Sequence, residues 1–173
     1  MTDAGTYLEH DGRPAVRFAR TYAHPVERVW AAVTDPDELE HWFPSRVEME
    51  LAVGATVRFS GDPNGEDTFG RVLECEPPRR LAFSWGDDEL HFDLAPSAGG
   101  CTFTLTNVLS QRDTAARNAA GWTVCLVELD RVLAGRPGDG PHGEQAEPWK
   151  VHYDAYVAAG MPAGAPIPDA SAR

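Results

Sequence analysis

At 100° per residue, residues 113–134 (DTAARNAAGWTVCLVELDRVLA) put Ala115, Ala119, Trp122, Leu126, Leu129 and Leu133 on one stripe. Cys125 and Val132 flank that stripe, and Arg117, Glu128 and Arg131 lie away from it. The pattern predicts an amphipathic helix, capped by Ser110 or Asp113 and stopped by Gly135 ahead of Pro137. At 1.5 Å per residue it is roughly 30 Å long, enough to cross a small domain. A second apolar strip, Ala116, Ala120, Val124 and Val127, runs along its back. Burying that strip is worth on the order of a few kcal/mol, so something is expected to cover it. The expected cover is a short terminal helix presenting Trp149, Tyr153 and Tyr156; the alternative is a homodimer seam, isologous if two-fold.

Upstream of this helix the dominant period is two. Residues 16–22 read as a strand, with Val16, Phe18 and Tyr22 on one face and Arg20 interrupting them. Residues 1–13 read as polar and irregular. After His24-Pro25 comes a short helix carrying Val26, Val29, Trp30 and Val33. Asp35-Pro36-Asp37-Glu38 starts a second one, with Asp35 as cap and Glu38 reaching back, and Leu39, Trp42 and Phe43 follow. Val47, Met49 and Leu51 then alternate with glutamates, and the turn Ala52-Val53-Gly54 pairs Met49 with Val57 on a face that continues to Phe59.

Turns at Pro77-Pro78 and Asp87-Asp88 would set Gly70, Val72 and Glu74 opposite Trp85, Phe83 and Leu81, with Leu90, Phe92 and Leu94 on the same face. Phe69, Leu73 and Cys75 then point outward. The last strand, residues 101–107, turns Phe103, Leu105 and Asn107 inward. Strand, two helices, six strands and one long helix predict an α+β domain over residues 14–134, a curved antiparallel sheet gripping the helix. Residues 135–173 read as a Gly/Pro-rich linker, a short helix and a disordered tail.

Composition narrows the partners. Among 173 residues the formal charge is −12, with Lys150 the single lysine, which argues against nucleic acid and against anionic membranes. The three cysteines, Cys75, Cys101 and Cys125, are too scattered for a disulfide framework or a CxxC metal site. The N-terminus lacks a signal-peptide pattern and no apolar run approaches membrane-spanning length, so a cytoplasmic location is expected. No histidine pair has metal-site spacing, no Ser-His-Asp or Cys-His set can be assembled, and no nucleotide-binding loop occurs. No metal or other cofactor is implied. Cys125 reads as a small core residue.

Four stretches taken together carry a resemblance: HPVERVWAAVTDPDELEHWF (24–43), FGRVLECEPPRRLAFSWG (69–86), CTFTLTNV (101–108) and GWTVCLVELDRVL (121–133). They resemble the START-like, polyketide-cyclase (SRPBCC) superfamily, in particular its branch of homologues of the activator of heat-shock-protein-90 ATPase. The resemblance implies the helix-grip, birch-pollen-allergen-like fold: a seven-stranded antiparallel sheet curved round the C-terminal helix, with a hydrophobic cavity between them. It implies no particular activity, because one fold hosts many sites. The co-chaperone role behind the branch name belongs to a protein with a further N-terminal domain and is not carried over.

Within that frame Glu74 is the main candidate for chemistry. An inward carboxylate among Leu81, Phe83 and Trp85 would need a partner, a ligand or a raised pKa. The plain alternative is a strand-end glutamate in water beside Arg79 or Arg80. Asn107 and Asn118 would either hold a polar ligand group or cap local backbone. Trp42, Phe43, Phe59, Val72, Phe83, Trp85, Phe92, Trp122 and Leu126 would line the cavity or fill the core. The favoured function is binding of a small, largely hydrophobic molecule. The alternatives are a cyclase-, dehydratase- or hydrolase-type enzyme using Glu74 as acid or base, and a protein-partner module related to chaperones. No second catalytic group accompanies Glu74, which favours binding.

Overall fold

The computed structural model describes residues 4–167. Its strands are β1 (Thr6–His10), β2 (Arg13–Tyr22), β3 (Arg46–Met49), β4 (Thr56–Ser60), β5 (Thr68–Glu76), β6 (Arg80–Trp85), β7 (Asp88–Ser97) and β8 (Gly100–Val108). Helices α1 (Val26–Thr34) and α2 (Pro36–Leu39) follow β2, while α3 (Ala115–Leu133) and α4 (Trp149–Ala158) close the chain. The strands form one antiparallel sheet in the order β1-β2-β8-β7-β6-β5-β4-β3, and α3 lies across its inner face. This is the expected α+β helix-grip architecture with eight strands instead of seven. The added strand is β1, in the stretch read as irregular. It hairpins onto β2 through Asp11 (φ 50°) and Gly12 (φ 78°), a two-residue turn with both φ positive. None of its residues is fully buried, so it has no apolar period to read.

Most of the inner face follows the alternation. Met49 pairs with Val57 and Val47 with Phe59, across a turn in which Gly54 takes φ 86°. Leu81 faces Phe92 and Phe83 faces Leu90, with the β6–β7 turn at Gly86-Asp87 instead of Asp87-Asp88. Moving the turn shifts the register by an even number of residues and keeps every side chain on its face. The β5–β6 hairpin is a correction. Glu76 pairs with Arg80 around a three-residue loop, so Cys75 faces Leu81 and Glu74 pairs with Ala82. A bulge between Val72 and Glu74 then restores Val72 to Phe83. The odd loop reverses the faces and the extra residue reverses them back, which turns Glu74 outward and Cys75 inward.

The helix ends also depart from their expected chemistry. Asp35 accepts from the Asp37 N–H at 2.9 Å, but Glu38 pairs with Arg28 instead of reaching back. At the start of α3 neither Ser110 nor Asp113 caps: Thr114 occupies the cap position and its hydroxyl bonds Gln111 O. The far end closes as expected, with Gly135 at φ 75°, its N–H on Val132 O and the Arg136 N–H on Arg131 O.

The back of α3 is covered by the chain itself. Ala116, Ala120 and Val124 are buried, and the Tyr156 hydroxyl of α4 bonds Thr123 Oγ1 at 2.7 Å and accepts from the Gly5 N–H. Val127, the fourth residue of that strip, is half-buried and borders open space beside α4. Residues 161–167, read as disordered, run back along the start of α3: the Ala116 N–H donates to Pro162 O and Arg117 to Pro166 O. Residues 168–173 of the expected tail lie outside the described residues.

Candidate functional site

Between sheet and α3, where a cavity was expected, the space is filled. Trp42, Phe92 and Leu126 are fully buried, and Phe43, Phe59, Val72, Phe83 and Trp122 nearly so. Their rings touch in series: Phe92 lies 5.4 Å from Phe103, 5.5 Å from Phe83 and 6.0 Å from Trp42, and Phe43 lies 6.2 Å from Phe59, centroid to centroid. The Trp42 indole donates to Ala32 O at 2.9 Å, so even its polar atom is satisfied inside. These residues form a core. Of the expected lining, Trp85, Asn118 and Trp122 border open space.

That space is a cleft of about 870 Å³ at the edge of the grip. One wall is Trp85 and the α3 residues Asn118, Gly121, Trp122 and Cys125. Pro44 and the turn residues Asp62 and Asn64 form the rim. The opposite wall is Trp149 and Tyr153 of α4, stacked at 5.0 Å and 12°, with Pro141, His142 and Pro148 of the preceding strap. A Cβ on Gly121 would sit in ordinary contact, 3.9 Å from Trp149 Nε1. His142 fastens the strap, with its Nε2 2.8 Å from Pro44 O and 3.7 Å from Asp62.

A buried polar network stands behind the cleft. Asn107, fully buried, donates from Nδ2 to Asp88 at 3.1 Å, while its Oδ1 accepts from Asn118 (3.1 Å) and from the Trp122 indole (3.1 Å). Asn118 also donates to Asp88 at 3.2 Å, and Asp88 holds the Ser110 N–H. The two amides therefore satisfy one another and anchor Trp122. Reading them separately missed this, because Asp88 and Trp122 reach them through the tertiary fold.

Glu74 lies outside the cleft. Its side chain is 49% exposed and sits 3.8 Å from Arg80, which Asp93 also holds. Glu128, read as lying away from the buried stripe, is the carboxylate that is buried. Arg131 pairs with its Oε1, and its Oε2 has no hydrogen-bond partner among the described residues. Burial pushes its carboxyl above the ordinary range; Arg131 opposes the shift, and Asp139 and Glu147 add to it. Gly138 closes over it, where a Cβ would come within 2.6 Å of Oε2. Cys125, buried in the α3 wall, has its thiol pushed far up by desolvation, which disfavours the thiolate.

A second cleft, about 700 Å³, opens on the other side of α4, bordered by Tyr7, Arg20, Asp130, His152 and Met161. Among the described residues no group of three His, Cys, Asp or Glu is placed to hold a metal ion. No described helix is long and apolar enough to cross a membrane.

The sequence model of the family described as "Activator of Hsp90 ATPase homolog 1-like protein" matches residues 23–134, and the chain belongs to that family. No curated protein sequence matches it. Among solved structures it is similar to CalU16 from Micromonospora echinospora, at 24% identity and TM-score 0.70, over 90% of this chain and 94% of that one. A conserved protein of unknown function from Enterococcus faecalis, EF2215, superposes with TM-score 0.71 at 20% identity, covering 90% of this chain and 89% of the other. DynU16, described as a protein in the dynemicin biosynthetic locus, gives 27% identity and TM-score 0.62 over 73% of this chain and 50% of its own.

Proposed function

We propose that this member of the family binds a small, largely hydrophobic molecule in the cleft beside α3. The observation that carries the reading is an open volume of about 870 Å³ between two aromatic walls, Trp85 with Trp122 and Trp149 with Tyr153, beside a core that is otherwise filled. Sites for small molecules are concave, mostly apolar and of about this size, with a few placed polar groups. The superfamily resemblance, which implies a hydrophobic cavity between sheet and helix, supports this reading, because the cleft opens at the edge of that junction. An acid–base enzyme is less well supported. Glu74 faces solvent away from the cleft, and the cleft's acidic lining residue, Asp62, is paired with the strap histidine.

The test is saturable binding of a neutral apolar fluorophore, N-phenyl-1-naphthylamine, followed by tryptophan quenching. Gly121→Leu leaves room for its Cβ but sends the rest of the side chain into the cleft. The expected result is loss of probe binding with a retained cooperative melt. Equal binding by a folded Gly121→Leu protein would move the site elsewhere.

A further inference from the structure

We propose that the ligand of this cleft is an anion: a flat aromatic molecule whose rings lie against the tryptophan walls and whose acid group is held by Arg117. The proposal rests on the cleft being the ligand site and adds the charge of what enters it.

The chain carries a formal charge of −12, so its average surface repels anions. The lining of this cleft runs against that background. It includes two cationic side chains, Arg117 and Lys150, and one acidic residue, Asp62. Lys150 is matched already, by Asp154 at 2.8 Å. Arg117 is not. Its Nε donates to Asn118 Oδ1 at 3.3 Å and its Nη1 to Pro166 O at 3.0 Å, both neutral acceptors, and it enters no ion pair among the described residues. A guanidinium has five N–H donors in a rigid fork suited to a carboxylate or sulfonate, so donors remain for a ligand.

Arg117 is also held in place. Asn118, its acceptor, is fixed by Asp88 and Asn107 within the buried network, and Pro166 comes from the segment folded back on α3. Fixing a half-buried cation beside apolar walls raises its attraction for an opposite charge, because the local dielectric is lower than water's. A cationic ligand would be repelled there, and a neutral one would leave the fork unmatched.

Two probes with the same rings separate the charge from the cleft: 8-anilinonaphthalene-1-sulfonate and N-phenyl-1-naphthylamine, which lacks the sulfonate. The expected result is roughly tenfold tighter binding of the sulfonate, weakening with salt as the neutral probe does not. Arg117→Met should abolish the sulfonate's advantage, bringing the ratio of the two probes' affinities close to one. Arg117→Lys should recover part of the difference, and Lys150→Met should do little. Equal affinity of the two probes for the native chain, or an equal loss of both in Arg117→Met, overturns the anion while leaving the cleft standing. Failure of both probes to bind the native chain overturns the cleft itself, and the anion with it.

Discussion

The interior of the grip and the cleft at its edge are walled by the same residue types, yet one is closed and the other open. Inside, the rings come from β4, β6, β7, β8 and α3, whose periods bring them to a shared surface, joined by Trp42 and Phe43 from the turn after α2. Phe59, Phe83, Phe92 and Phe103 interdigitate because pleat and helix deliver them at matched spacing. At the edge, one wall is still periodic, Trp85 and Trp122, but the facing wall is the strap and the start of α4. Trp85 and Trp122 pack on each other at 5.3 Å and Trp149 and Tyr153 stack on each other at 5.0 Å, and a gap remains between the two pairs. The family match ends at residue 134, before that facing wall begins. The matched region therefore supplies most of the core, and the segment after it supplies one wall of the cleft.

The harshest way to break this division is to remove residues 144–173. Ala116, Ala120 and Val124 would be uncovered and Tyr156 lost, so urea unfolding should show destabilisation on the order of several kcal/mol, with no saturable probe binding. An unchanged unfolding midpoint would mean that α4 contributes nothing to the core. Next comes Phe92→Ala, which empties a fully buried ring site whose ring partners, Trp42, Phe83 and Phe103, do not line the cleft. It should cost about 3–5 kcal/mol in the same measurement while probe affinity at low temperature stays close to native. A large loss of affinity with a small loss of stability would join the two regions that are separated here.

Glu128 sharpens the comparison at the strap. With its folded pKa raised by burial, the native state holds the proton to higher pH than the unfolded chain does. Native stability should therefore fall as pH rises from the ordinary carboxylate value of 4.5 through the raised folded value. Glu128→Gln removes that slope, so thermal melts should show the variant gaining on the native chain from acidic to neutral pH. Parallel pH profiles for the two proteins would contradict it. The smallest effect is expected at Glu74. Half exposed and shared with Arg80, it should tolerate Glu74→Gln within about 0.5 kcal/mol, with unchanged probe affinity. A clear change in ligand binding would return Glu74 to the site.

The alternation and the α3 stripe were enough to predict the helix-grip architecture and most of the inward face, because burial on one side imposes period two on a strand and 3.6 on a helix. They also foretold that Trp149, Tyr153 and Tyr156 would turn toward α3, since an apolar strip on a helix back demands a cover. Three things were decided only in three dimensions. The bulge at Leu73 exchanged Glu74 for Cys75, and a single inserted residue leaves the composition and alternation of its neighbours untouched. β1 formed at an edge where no residue is fully buried and Tyr7 alone of its residues packs on the core, so hydrogen bonding to β2 places it without an alternating apolar signal. The cleft arose where Arg117, Trp122, His142 and Trp149 converge from α3, the strap and α4. Their spacing in the chain carries no trace of that meeting, because contacts between an aperiodic segment and a distant helix are set by how the whole chain closes.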